Sequence, residues 1–151
     1  MFAAAMPACV VPPTLEEAPP PGNFPPAIVR DDPKTPIVPA PGLVQLSSDA
    51  DLVLDSIPVL EPNVNDQLTL RLFLDGIPLL TIEPPPTGDV RRVLRALVDL
   101  PCALILPGPA GQLGQLVGVV SDRGFAGAGR ETPPEAGTSS VEWVIDCLDA
   151  P

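Results

Sequence analysis

The stretch QLTLRLFLDG, Gln67 to Gly76, sets Leu68, Leu70, Leu72 and Leu74 at every second position, with Thr69, Arg71, Phe73 and Asp75 between them. A period of two belongs to a β-strand with one buried face. Wound as a helix, the same four leucines would spread around most of the circumference and leave no polar side. Asn65-Asp66 before the stretch and Asp75-Gly76 after it are turn formers. The stretch therefore predicts a central strand of a small antiparallel β domain, against which the other apolar runs must pack.

Working outward, Val141 to Leu148 alternates cleanly, with Val141, Trp143, Ile145 and Cys147 on one face, and predicts the last strand. Leu113 to Val120 is a further β run, closed by Ser121-Asp122-Arg123-Gly124. Leu43 to Ser48 reads as a short edge-like strand, and Asp51 to Ile57, followed by Pro58-Val59-Leu60, as the next. Glu61 to Asp66 is a turn. Ile77 to Ile82 is apolar but holds Pro78, which cannot donate a ladder hydrogen bond, so this strand should sit at an edge or be irregular. Val90 to Leu100 is ambiguous: Val90, Val93, Leu94, Leu97 and Val98 make a helical stripe, yet a β domain wants a strand here. We read a strand. Glycine, proline and serine dominate 125–140 and predict a mobile loop.

Composition narrows the function classes. The 151 residues suffice for one domain with an appendage. The 24 prolines are about three times the usual share of roughly 5%, and they cluster before residue 42 and at turns. A formal net charge of −11 repels polyanions, so nucleic acid is not an expected partner. No histidine occurs, which removes the commonest general base and most zinc sites. Gly108, Gly111 and Gly114 lack the Lys-Ser/Thr of a phosphate-binding loop. Nothing sets two carboxylates around a cleft as a glycosidase requires. We expect no catalysis, no cofactor and no small-molecule substrate.

Three segments emerge. Residues 1–9, MFAAAMPAC, resemble the end of a bacterial lipoprotein signal on the strength of the apolar run Phe2 to Met6, Ala8 and Cys9. That resemblance implies lipidation at Cys9, a membrane anchor and a place in the cell envelope, whether outer-membrane-anchored, periplasmic or extracellular. Met6 and Pro7 depart from the lipobox, and no basic residues precede the run; the other reading is a ragged N-terminus with a free cysteine. Residues 10–41 are proline-rich and predict an extended, semi-rigid tether. Residues 42–151 form the domain.

About seven strands separated by turn signals point to a β-sandwich. Within that pattern, NDQLTLRLFLDG, then PGPAGQLGQLVGVVSDRGF with its V-S-D at Ser121-Asp122, then the tryptophan strand, resemble the immunoglobulin-like, PKD- or cadherin-like domains of bacterial surface lipoproteins. Asn23 to Ile28, N-x-P-P-x-I, resembles the segment that opens the first strand of such modules. The resemblance implies an all-β, immunoglobulin-like antiparallel β-sandwich behind an extended proline-rich segment, acting as a structural or adhesive interaction module. The alternative is an accessory or inhibitory subunit that binds one envelope protein.

Export would make oxidation available, and Cys102 and Cys147 then form an even pair that is a disulfide candidate; two buried free thiols are the alternative. Asp31-Asp32, Asp49 with Asp51, and Asn63, Asn65 and Asp66, all at expected turns, are the only candidates for a calcium site. Such residues at turns more often cap backbone groups, and no metal is assigned.

Overall fold

The computed structural model describes residues 23–47, 52–98 and 112–148. Its described strands are β1 (Ala27–Ile28), β2 (Gly42–Ser47), β3 (Leu52–Leu60), β4 (Thr69–Leu74), β5 (Ile77–Ile82), β6 (Arg91–Val98), β7 (Gln112–Ser121) and β8 (Thr138–Leu148). They build two sheets, ordered β1-β3-β6 and β2-β8-β7-β4-β5. The inner faces of both feed one core: Leu54, Ile57, Val59 and Leu94 from the first sheet meet Leu70, Leu72, Leu116, Trp143 and Ile145 from the second. Burying each such side chain is worth about 1.5–3 kcal/mol, and this shared core is what holds the layers face to face.

β4 is an inner strand, flanked by β5 and β7. Leu68, Leu70, Leu72 and Leu74 all face the shared core, as their spacing requires. The opposite face is not the solvated one expected. Phe73 is fully buried there with Val117 and Val119, under Phe125 from the segment after β7. The two phenylalanine rings meet edge to face at 6.5 Å. Arg71 lies 4.4 Å from the Phe125 ring and Arg130 lies 4.9 Å from the Phe73 ring. Arg71 also donates to the carbonyls of Gly127 and Gly129 at 2.6 and 2.9 Å. The loop expected over 125–140 is thus tied to β4 through its first half, and its end is strand, because β8 begins at Thr138.

β6 settles the ambiguous run as a strand with alternating exposure. Its inward row is Arg92, Leu94, Ala96 and Val98, and it leaves Val93 and Leu97 of the apparent helical stripe exposed. Arg92 can occupy an inward position because it sits at the open end of the sandwich. There its guanidinium donates to the carbonyls of Val64, Asp66 and Asp89.

One boundary and one strand direction differ from the expectation. The tether expected to run to Pro41 is part of the fold from Asn23 onward. Ala27 and Ile28 pair with Leu60 and Val59, and Ile37 is buried in the shared core. Farther along, Val38 donates to Ser56 O and accepts from Asp55 N, filling the ladder gap left by a bulge in β3. The sandwich is also not wholly antiparallel. β2 runs parallel to β8, Gly42 against Trp143 through Ser47 against Leu148, while every other strand pairing among the described residues is antiparallel. A parallel edge follows when the chain leaves the first sheet beyond β1 and crosses to the second before turning back into β3.

Candidate functional site

Two motifs singled out in the sequence meet at one end of the sandwich. Asn23, which opens the strap of residues 23–41, donates its side-chain amide to Asp122 Oδ2 at 2.7 Å and to Glu135 O at 3.0 Å. Asp122, from the V-S-D that closes β7, is almost wholly buried and accepts from Gly137 N at 2.8 Å through Oδ1. One carboxylate, 99 residues from Asn23 in sequence, therefore joins the strap to the far end of the β7–β8 connection.

The turn after β3 completes the cluster. Asn63 donates from its main chain to Glu61 Oε1 at 2.8 Å and from its side chain to Asn23 Oδ1 at 2.6 Å. Glu61 is fully buried, and its second oxygen, Oε2, has no hydrogen-bond partner; neither has Asp66 Oδ2. Burial raises the Glu61 carboxyl above its ordinary range. The Asn63 N–H lowers it, the Asp122 and Asp66 charges raise it, and Arg92 opposes them. Arg123 sits 3.7 Å from Asp66. An open cleft of about 390 Å³ lies alongside, lined by Asn23, Asn63, Asn65, Asp66 and Arg123 among others.

Glu61 is the residue that the sequence reading passed over. Its signal was present, since the inward row Ile57, Val59 continues at the same period to Glu61. Of the calcium candidates, Asn63, Asn65 and Asp66 belong to this cluster. Asp32 instead forms an ion pair with Arg91 and accepts from Lys34 N, and Asp49 and Asp51 lie outside the described residues. Among the described residues, no three carboxylate or thiol groups converge as a metal-ligand set.

A second region is the outer face of the β3–β6 pair. Val53 and Leu97 stand opposite each other at 51% and 67% exposure, and Pro58 faces Val93, which is also exposed. Between these apolar pairs, Asp55 and Arg95 approach to 3.7 Å with both side chains largely in solvent.

Cys147 is buried on the inward row with Val141, Trp143 and Ile145, between Leu46 of β2 and Gln112 of β7. Cys9 and Cys102 lie outside the described residues, as do the expected lipoprotein signal and the first part of the tether. Comparison of the chain with protein-family models, with curated proteins and with solved structures finds no match.

Proposed function

We propose that this chain is a non-catalytic interaction module of the cell envelope, carried on a lipid anchor at Cys9. The observation that carries the reading is the exposed apolar row of Val53, Leu97, Val93 and Leu60 on one outer sheet face. A passive spacer gains nothing from such a row, whereas a docking face gains about 25 cal/mol for each Å² of apolar surface it covers. An immunoglobulin-like reading of the sandwich is part of the proposal and fits the same role. It is supported by the strand neighbours when β3 and β6 are taken as strands B and E, and β5, β4, β7 and β8 as C′, C, F and G. The departure is that no strand D pairs with β6 among the described residues.

Photo-crosslinking groups placed at Val53 and Leu97 in native envelopes should give one defined adduct, and Leu97→Asp should abolish the adduct formed from Val53. Metabolic labelling should place acyl chains on Cys9. No adduct from either position would end the docking reading, and an unmodified Met1 on soluble protein would end the anchoring one.

A further inference from the structure

The cluster at the strap end contains more acid than its surroundings satisfy. Glu61 emerges from β3 just beyond the Ala27–Leu60 pair that holds the strap. It faces Asp66 from the turn after β3, Asp122 from the end of β7 and Arg92 from β6, while Arg123 stands against Asp66. Three carboxylates thus share two guanidinium groups. All the hydrogen bonds of Arg92 go to main-chain carbonyls, so its charge acts on Glu61 only through space. Two buried carboxylate oxygens, Glu61 Oε2 and Asp66 Oδ2, lack hydrogen-bond donors, and a buried charge without a donor is costly. A divalent cation is a poor remedy. The carboxylates do not converge as a ligand set, and Arg92 and Arg123 add positive charge beside them. A proton is the remedy that fits, because on Oε2 it cancels one charge and turns an orphan acceptor into a donor.

We propose that Glu61, Asp122 and Asn23 form a pH-sensitive clasp on the strap: uptake of one proton by Glu61 tightens the hold of the domain on residues 23–28, and release of that proton loosens it. The link is direct. Asn63 binds Glu61 with its main chain and Asn23 with its side chain, and Asn23 in turn binds Asp122. An ionised Glu61 draws water toward Oε2, and parting the Asn63–Asn23–Asp122 chain admits it. The strap is the segment through which residues 1–22 join the domain. Acidity therefore stiffens that junction, whatever the domain binds.

Amide hydrogen exchange of the full chain tests this, with rates corrected for intrinsic exchange. Ile28 N donates to Ser139 Oγ and Val29 N to Pro58 O, so both amides report on the strap. As the pH falls from neutral towards the ordinary glutamate value of 4.5, protection of these two amides should rise several-fold, while amides in β4 and β7 change less. In Glu61→Gln, protection should be flat with pH and close to the acid value of the parent. A flat profile in the parent chain overturns the proposal. So does an unchanged slope in Glu61→Gln, or an equal shift of every amide, which would make Glu61 a determinant of global stability alone.

Discussion

The indole N–H of Trp143 donates to the main-chain carbonyl of Pro39 at 2.9 Å. The largest buried side chain of the last strand is thereby fastened to the proline-rich strap, and the strap is made part of the core. Trp143→Phe removes that donor from a half-buried carbonyl and opens a void beside Leu72 and Val141. It should lower the unfolding free energy by about 1–3 kcal/mol. Urea denaturation at constant m-value checks this; a loss near zero would mean that the strap does not depend on Trp143.

Glycine at 137 is required by the same strap. A Cβ there would run into the backbone of Pro25 and the ring of Pro26, neither of which is a flexible side-chain end. Gly137→Ala should release the strap and cost roughly 1–3 kcal/mol. Gly118→Ala is the milder comparison, since its Cβ would meet Leu72 Cδ2 at 3.3 Å and the Trp143 ring at 3.4 Å. Thermal melts of the two variants should rank them in that order.

These contacts show why the strap was illegible in the sequence. Proline density in 10–41 reads as a solvated spacer, but Asn23, Ile28, Ile37 and Pro39 each find a partner more than fifteen residues away, which no local pattern encodes. The parallel pairing of β2 with β8 is hidden for the same reason. What was legible was local. The leucines of β4, the inward row of β8 and the edge position of β5 with its Pro78 all follow from period two and from the missing proline N–H. β6 was read as a strand despite an ambiguous pattern, which arises because Arg92 faces inward while Val93 and Leu97 face out. Of the candidate site, Asn23 and Asp122 were visible in motifs, and Asn63, Asn65 and Asp66 as turn residues. Glu61 carried a signal in its place on the inward row after Ile57 and Val59, but an acid closing an apolar strand also looks like the start of a turn.

Glu61 makes stability depend on pH with a definite sign. Its folded-state pKa lies above the ordinary value of 4.5, chiefly because of burial. Folding therefore takes up a proton between the unfolded and the folded pKa. The contribution is most favourable below the unfolded value and is lost as pH rises through the folded one. Glu61→Gln should accordingly be more stable than the parent at neutral pH, and the advantage should vanish on acidification. Denaturant midpoints measured across that range decide it; a variant less stable than the parent at neutral pH contradicts the sign.

Phe125 pins the first half of the β7–β8 connection to the outer face of β4. Phe125→Ala should forfeit its edge contact with Phe73 and the stack with Arg71, about 1–2 kcal/mol in all. Trypsin should then cut at Arg130, whose guanidinium lies over the Phe73 ring, sooner than in the parent chain. Equal cleavage rates would show that the aromatic pair does not restrain the segment.

The last prediction concerns the end of β8. Cys147 points inward from a strand whose two neighbours, β2 and β7, are themselves held chiefly through it and through β4. We propose that it is bonded to Cys102. A bridge between them closes a loop of about 45 residues and contributes about 4 kcal/mol in the chain-entropy model. Serine at 147 would also place a hydroxyl in an apolar row, so a loss from Cys147→Ser alone is ambiguous. The discriminating measurement is a cycle of Cys102→Ser, Cys147→Ser and the double variant. If the residues share a bond, each single change forfeits it, and the double change should cost little more than either single one, within roughly 2–5 kcal/mol. Additive losses, or two reactive thiols at these positions in unfolded and unreduced protein, would refute the bridge.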